Sequence, residues 1–181
     1  LCWKRLEVFA CVRMVSAEAS AQEMTALHHS IKKSTKRKVV VSIAIKEYSM
    51  SRDSTRQLSP SFKVREFGCK GSDVVLLDEE LVVLLQCIRE HFGKPVHITS
   101  GYRTAEHNAA VGGSKSSQHL LGRAADFWVE GVPVATVADY AEKLLPGRGG
   151  IGRYPKDAKH PTRKTGWVHI DTRTNKSRWK G

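Results

Sequence analysis

The feature that most constrains the fold of this chain is the order of its short apolar segments after residue 77. Asp78 is suited to cap a helix that Gly93 ends, and the apolar residues of this helix recur at the spacing of one buried face: Leu81, Leu84, Leu85 and Ile88. Further helices are predicted from Thr104 to Gly112 and from Pro133 onward, because proline suits a first helical position. The predicted strands are Val96–Ser100, Ala124–Val129, Gly150–Tyr154 and Trp167–Thr172. Because strands and helices do not alternate regularly, this order indicates an α+β domain with a small antiparallel sheet flanked by helices.

The N-terminal part of the chain shows no such order. Residues 1–58 lack a coherent apolar pattern, and we expect them to form an extension that is poorly ordered or not native, with the domain spanning residues 59–181. A basic cluster at residues 32–38 precedes a predicted short strand, Val39–Ile45. Met50 opens a stretch typical of an ordinary N-terminus, which favours a native start there and leaves the residues before it in doubt.

A secretory signal is the competing interpretation of the first residues. Lys4 and Arg5 precede an apolar stretch, as in a signal peptide. However, Glu7 and Arg13 interrupt that stretch, which signal peptides tolerate poorly. No apolar run approaches the roughly 20 residues that a membrane-spanning helix needs, so we expect no membrane span.

The net charge of +12 favours acidic partners. Nucleic acid is one such partner, and the Gram-positive cell wall, with its carboxylates and phosphate polymers, is another. Part of the excess lies in the doubtful N-terminal segment, and basic residues also crowd the segment from Arg148 to Lys180. Charge alone does not choose between these partners.

Two histidines and one aspartate stand in unusual surroundings. Asp126 lies in the middle of an apolar strand, where an unpaired carboxylate is costly to bury. If the strands of Asp126 and His169 are neighbours, their side chains face a common point, and His119 reaches that point past Gly122. Two imidazoles and a carboxylate are good zinc ligands that leave a fourth position for water. Taken alone, the short His-x6-Asp spacing leaves a purely structural role for each residue open.

The chain resembles the zinc D-Ala-D-Ala carboxypeptidases and VanX-type dipeptidases, especially their phage and Firmicutes branch. The resemblance is collinear from Phe62 to Trp179 and rests on several motifs together: Ser100-Gly101-Tyr102-Arg103-Thr104, Gly112-Gly113, Ser117 to Asp126, Gly149 to Tyr154, and Val168 to Arg173. It implies a hedgehog-like fold, one zinc ion per chain, and His119, Asp126 and His169 as the zinc ligands.

The resemblance also implies residues that handle the substrate. Arg103 matches the family arginine that holds the substrate, and a guanidinium suits this role because it pairs with a carboxylate or a developing oxyanion. Ser117 matches a position beside the substrate, although a local turn is nearly as good an explanation for it. Tyr154 is a further candidate for lining the cleft, with a simple core or rim position as the alternative.

The general base is the point at which this sequence departs from the family. Many relatives carry Glu three residues before the last ligand and others carry His two before it, whereas this chain has Gly166 and Trp167. Asp171 remains, two residues after His169 on the same face of the strand. It is a candidate for the catalytic base, or alternatively for a carboxylate that orients a ligand. His160 is a weaker candidate for the base.

These observations predict a zinc peptidase that hydrolyses peptidoglycan stem peptides through attack of a metal-bound water. It would be a D-Ala-D-Ala carboxypeptidase or an endolysin-like endopeptidase, and we expect a monomer that acts at the bacterial cell wall. Without a convincing signal peptide, it would be encoded by a phage or prophage, or exported by another route. The alternatives are a non-catalytic, zinc-stabilised wall-binding module and, less favoured, a nucleic-acid-binding protein; we expect no specific nucleic-acid partner.

Overall fold

The computed structural model describes residues 45–156 and 165–181, which belong to one compact unit, Ala44–Gly181. Its strands are β1 Ile45–Ser49, β2 Gln57–Ser59, β3 Phe62–Lys63, β4 Val74–Asp78, β5 Val96–Ser100, β6 Ala124–Val129, β7 Gly150–Tyr154, β8 Trp167–Asp171 and β9 Ser177–Lys180. Its α-helices are α1 Met50–Asp53, α2 Glu79–Phe92, α3 Ala105–Ala110 and α4 Val134–Leu144. Single 3-10 turns span Val64–Phe67 and Gln118–Leu121.

A five-stranded sheet forms the centre of this unit, in the order β5-β6-β8-β7-β9. The first four strands pair antiparallel with their neighbours, and β9 pairs parallel with β7 at one edge. Two small antiparallel sheets, β1-β4 and β2-β3, accompany it. The predicted α+β class with a small antiparallel sheet and helices is confirmed, with β9 as a parallel edge that the sequence pattern did not predict.

Helix α2 has the boundaries that its sequence predicts. The Asp78 carboxylate accepts a hydrogen bond from the backbone N–H of Glu80 at 3.0 Å, which caps the first turn. Gly93 adopts a left-handed conformation with φ of 59° and ends the helix. The predicted apolar face is buried at Leu81, Leu84, Leu85 and Ile88.

Three predicted elements have shifted boundaries. Helix α3 spans Ala105–Ala110 instead of Thr104 to Gly112, because Thr104 is extended and caps the first turn with its side chain. Helix α4 begins at Val134, because Pro133 is extended, with ψ of 143°, and stands before the first helical residue. Strand β8 ends at Asp171 and so leaves out Thr172, whose backbone N–H donates to the Arg123 carbonyl. The strands Val96–Ser100, Ala124–Val129 and Gly150–Tyr154 are found as predicted.

Part of the predicted N-terminal extension is built into the compact unit. Strand β1 pairs along its length with β4, and Tyr48 and Ser49 at its end are buried. The Ser49 hydroxyl accepts a hydrogen bond from the Arg52 backbone N–H and caps α1. Residues 1–44, and with them most of the predicted strand Val39–Ile45, lie outside the described residues. Whether that segment is native stays a prediction.

The hydrophobic core lies between the central sheet and the helices α2 and α4. Alternate residues of β6 and β8 face this core and are buried: Ala125, Phe127, Val168 and Ile170. The residues between them, including Asp126 and His169, therefore point to the opposite face of the sheet. Across the part of the chain that the structure describes, no helix is long and apolar enough to cross a membrane.

Candidate metal centre

A row of directly opposed residues crosses the sheet on the face away from the helices. Ser100 of β5 pairs with Asp126 of β6, Asp126 pairs with His169 of β8, and His169 pairs with Gly152 of β7. Side chains of directly opposed residues lie on the same face at short range. The strand pairing therefore brings Asp126 beside His169, although 43 residues separate them in the sequence.

His119 completes a group of three side chains whose ligand atoms all lie within 4.8 Å of one another. His169 Nδ1 lies 2.8 Å from Asp126 Oδ1, and His119 Nε2 lies 3.3 Å from Asp126 Oδ2. Both histidines are buried. The structure thus brings together the three residues that the sequence analysis names as metal ligands.

The 3-10 turn Gln118–Leu121 positions the His119 ring. Gly122 ends this turn with φ of 67°, and a side chain there would collide with the backbone of Leu76. His119 Nδ1 lies 2.6 Å from the Gly101 carbonyl oxygen, which only accepts hydrogen bonds. Nδ1 therefore carries a proton, and Nε2, beside Asp126, is the nitrogen that is available to a metal.

The His169 ring is held on several sides. Its Nδ1 faces Asp126, and its Nε2 lies 3.1 Å from Oδ2 of Asp171. The ring centroid of His119 lies 5.0 Å away, and so does that of Trp179 from β9. The Trp179 indole rests against Gly152, where an added Cβ would lie 2.6 Å from it.

The charges around these residues shift their protonation equilibria. Burial alone would raise the pKa of Asp126, but hydrogen bonds and charge from His119 and His169 hold that pKa well below its usual range. Burial also opposes the charged form of His169, yet its contacts with Asp126 and Asp171 raise the pKa of the imidazole. The hydrogen bonds that Asp171 accepts from His169 and Arg173 outweigh burial and lower the pKa of Asp171. Without a metal, the two ionised carboxylates therefore favour the charged form of the His169 imidazole between them.

Arg103 lies at the edge of this group. Its Nη2 donates to Asp126 Oδ2 at 2.6 Å, and its Nε donates to the Ser100 hydroxyl at 2.7 Å. The side chain is 15% exposed. Arg103, which is predicted to hold substrate, thus places a positive charge beside the Asp126 carboxylate. Ser100 and Asp126 together hold its guanidinium in place.

The two other predicted substrate-binding residues have local partners. The Ser117 hydroxyl accepts a hydrogen bond from the His119 backbone N–H at 3.3 Å and caps the turn that carries this ligand. The Tyr154 hydroxyl accepts a hydrogen bond from Trp179 Nε1 at 2.8 Å, and its ring stacks on Trp167 at 4.6 Å between centroids. Ser117 is therefore close to the metal-ligand group, and Tyr154 is linked to it through Trp179.

The predicted base candidates differ in their surroundings. Asp171 has no exposed surface, and both of its carboxylate oxygens accept hydrogen bonds. Gly166 adopts φ of 71° next to the backbone of Pro155, and Trp167 is stacked on Tyr154. His160 lies outside the described residues.

Sequence reasoning did not single out two partners of Asp171. Gly150 donates its backbone N–H to Asp171 Oδ1 at 2.9 Å, and the Arg173 guanidinium donates to both carboxylate oxygens. Arg173 follows Asp171 by two residues, a spacing that places both on one face of an extended chain. That spacing could have identified Arg173 as a partner of Asp171 from the sequence. Gly150 lies next to Asp171 only because β7 pairs with β8.

Comparison with known proteins gives a consistent result. The Peptidase M15 family matches residues 60–171, which is more than half of the chain. The chain is 35% identical over 91 residues to the probable peptidoglycan L,D-endopeptidase MepK of Haemophilus influenzae, a match that covers 48% of this chain and 43% of that protein. It is 36% identical over 84 residues to the peptidoglycan L,D-endopeptidase MepK of Escherichia coli strain K12, covering 44% of this chain and 41% of that protein. The chain therefore matches less than half the length of these curated relatives.

The family match contains each element that carries a residue of the candidate metal centre. It begins before α2, includes the turn of His119 and strand β6 with Asp126, and ends at Asp171, two residues after His169. With a match of this extent and an α+β fold that agrees with it, the chain belongs to the Peptidase M15 family.

Proposed function

We propose that this protein is a zinc-dependent peptidase that hydrolyses amide bonds in peptidoglycan stem peptides. The observation that carries the proposal is the convergence of His119, Asp126 and His169 at one point of the sheet face. Membership of the Peptidase M15 family supports the reaction class, and similarity to peptidoglycan L,D-endopeptidases supports the substrate class.

The donor set fits zinc. Two imidazoles and one carboxylate are typical protein ligands of a catalytic zinc ion, and three such ligands leave a position open for water or substrate. His119 Nε2 and Asp126 Oδ2 lie 3.3 Å apart, which suits two ligand atoms of one shared cation. When bound, zinc supplies a Lewis acid and lowers the pKa of a water ligand to about 7.

The surrounding residues have roles that follow from their positions. Arg103 holds the Asp126 carboxylate and brings a positive charge to the edge of the centre, where it can stabilise negative charge that develops on the substrate. Ser117 holds the turn of His119, and its place beside that ligand suits a hydrogen bond to the peptide. Tyr154 and Trp179 form a wall next to His169 against which a substrate packs.

We favour an endopeptidase over a D-Ala-D-Ala carboxypeptidase. A carboxypeptidase must bind a terminal carboxylate, and the guanidinium best placed for that task, Arg103, already pairs with Asp126. The relatives that the chain resembles are named endopeptidases. An endolysin-like enzyme encoded by a phage or prophage, which reaches the wall after release as a monomer, is the corresponding biological setting that we propose.

Digestion of purified peptidoglycan tests this function. We expect the zinc-loaded protein to release cleaved stem peptides, detectable by mass spectrometry, and His119→Ala to reduce the rate by more than about a hundredfold through loss of the metal. His91→Ala is the matched control, because His91 stacks on Tyr140 between α2 and α4, away from the sheet face. Equal rates for wild type and His119→Ala would refute the proposal. Release of free D-Ala instead of internal cleavage would assign a carboxypeptidase.

A non-catalytic, zinc-stabilised wall-binding module is the second candidate. Gly166 and Trp167, at positions that carry the base in many relatives, motivate it, as does the burial of Asp171. This candidate predicts zinc bound in a 1:1 ratio and cosedimentation with purified cell wall, without any product in the digestion. Product formation that depends on His119 excludes it.

A further inference from the structure

The carboxylate of Asp171 is enclosed by donors from its own strand end and from β7. Oδ1 accepts hydrogen bonds from the Gly150 backbone N–H at 2.9 Å and from the Arg173 backbone N–H at 3.1 Å. Oδ2 accepts from Arg173 Nη2 at 2.6 Å and lies 3.1 Å from His169 Nε2. Asp171 itself is completely buried. Every partner of this carboxylate is thus a fixed protein group.

These contacts determine which nitrogen of His169 carries the proton. A carboxylate that is paired with a guanidinium is ionised and only accepts hydrogen bonds. His169 Nε2 must therefore donate its N–H to Asp171. An imidazole that binds a metal is neutral, with one N–H and one lone pair. With the N–H on Nε2, the lone pair that a metal uses lies on Nδ1, the nitrogen beside Asp126.

We propose that Asp171 is a positioning residue, which fixes His169 as the Nε2–H tautomer and directs Nδ1 to the metal. This inference rests on the proposed zinc site and deepens it. It assigns to Asp171 the orienting role in place of that of the base, because its carboxylate is fully buried and both oxygens are occupied by protein donors, which leaves none exposed to take a proton from water. Carboxylates in this position set the orientation and basicity of metal-ligating histidines in other proteins.

Gly150 and Arg173 hold the Asp171 carboxylate in the position from which it contacts His169. A Cβ on Gly150 would lie 2.1 Å from Asp171 Oδ2, so only glycine lets the carboxylate sit against the backbone of β7. The planar fork of Arg173 holds both oxygens and prevents rotation of the carboxylate. Asp171, Gly150 and Arg173 thus help to hold the His169 ring from outside the group of proposed metal ligands.

Nitrogen NMR of the wild-type protein, titrated with zinc alone, tests the tautomer directly. With 15N-labelled histidine, and His169→Gln to identify the signals, we expect His169 to show a protonated Nε2 and a zinc-bound Nδ1. Zinc bound through Nε2, with Nδ1 protonated, would overturn this inference and leave the proposed function standing. A protein that binds no zinc would overturn both.

Zinc affinity and turnover of Asp171 variants provide a second test. Chelator competition should show a loss of about 10–100-fold in affinity for Asp171→Ala, and no loss for the control Asp139→Ala, whose carboxylate forms an exposed pair with Arg153. Asp171→Asn keeps an oxygen that accepts from Nε2–H, so it should restore affinity and retain turnover per bound zinc. Loss of all turnover in fully zinc-loaded Asp171→Asn would instead identify Asp171 as the base and contradict the inference.

Discussion

Two glycines of β7 make the surroundings of His169 possible. Gly150 leaves the space that the Asp171 carboxylate occupies, and Gly152 leaves the space for the Trp179 indole. Both glycines lie in a regular strand, where glycine costs more backbone entropy than residues with a side chain such as alanine or valine. Because they have no side chain, Asp171 of β8 and Trp179 of β9 can approach the His169 ring closely.

Substitution of Gly150 by alanine should therefore weaken zinc binding, although Gly150 is not one of the proposed ligands. The added methyl group collides with Asp171, which must move away from His169, and overpacking of this kind costs about 1–3 kcal/mol of stability. We expect zinc affinity to fall by about 10-fold or more, measured by chelator competition. Gly147→Ala is the control, because no atom lies within 4 Å of its added Cβ. Equal zinc affinities of the two variants would contradict the positioning role of Asp171.

At the scale of elements, the start of α2 is tied to the end of β8. Asp78, completely buried, caps α2 through Oδ1 and accepts a hydrogen bond from the Thr172 hydroxyl through Oδ2 at 2.6 Å. Thr172 follows directly after Asp171 in the sequence. One carboxylate thus joins the core helix to the strand that carries His169.

Removing either partner of this bond should destabilise the whole unit. Asp78→Ala loses the helix cap and leaves the Thr172 hydroxyl without its partner, so we expect a loss of about 1–3 kcal/mol in the free energy of unfolding by urea. Thr172→Val should cost less, since it removes only the second bond. The double variant should show a coupling of about 0.5 kcal/mol or more between the two positions. Strictly additive effects would show that the hydrogen bond does not join the two elements.

Local patterns were sufficient to predict the helices α2, α3 and α4 and the strands β5 to β8. They did not predict α1, the short strands β1 to β4 or the edge strand β9. The strand period placed Asp126 and His169 on one face because their neighbours Phe127 and Val168 are apolar. The order β6-β8-β7 and the parallel pairing of β9 depend on contacts between distant segments, which no local pattern encodes. The surroundings of Asp171 follow from that order, so the sequence left its role open between base and orienting carboxylate.

On the scale of the whole molecule, the compact unit is larger than the family match. The match covers residues 60–171, whereas β1 precedes it and β9 follows it. Strand β9 carries Trp179, whose ring lies 5.0 Å from that of His169. The elements outside the match therefore contribute to the fold and, through β9, to the wall of the metal centre.

Part of the positive charge of this protein lies in ion pairs with its own acidic side chains. Among the described residues, basic side chains of the C-terminal segment pair with acidic ones: Arg148 with Glu80, Arg153 with Asp139, Arg173 with Asp171, and both Lys176 and Arg178 with Glu142. Hydrogen bonds from Arg178 and Lys176 lower the pKa of Glu142, despite the opposing effect of its burial. These ion pairs balance part of the basic charge of the C-terminal segment.

The most direct test of the account is hydrolysis of a defined peptidoglycan fragment after removal and return of the metal. We expect a zinc chelator to abolish cleavage, and one equivalent of zinc per chain to restore it in the wild type but not in His169→Ala. Recovery should saturate at that ratio, since His119, Asp126 and His169 form one site. Cleavage that persists in the chelated protein, or that zinc restores equally in His169→Ala, would contradict the claim that these three residues hold a catalytic zinc ion.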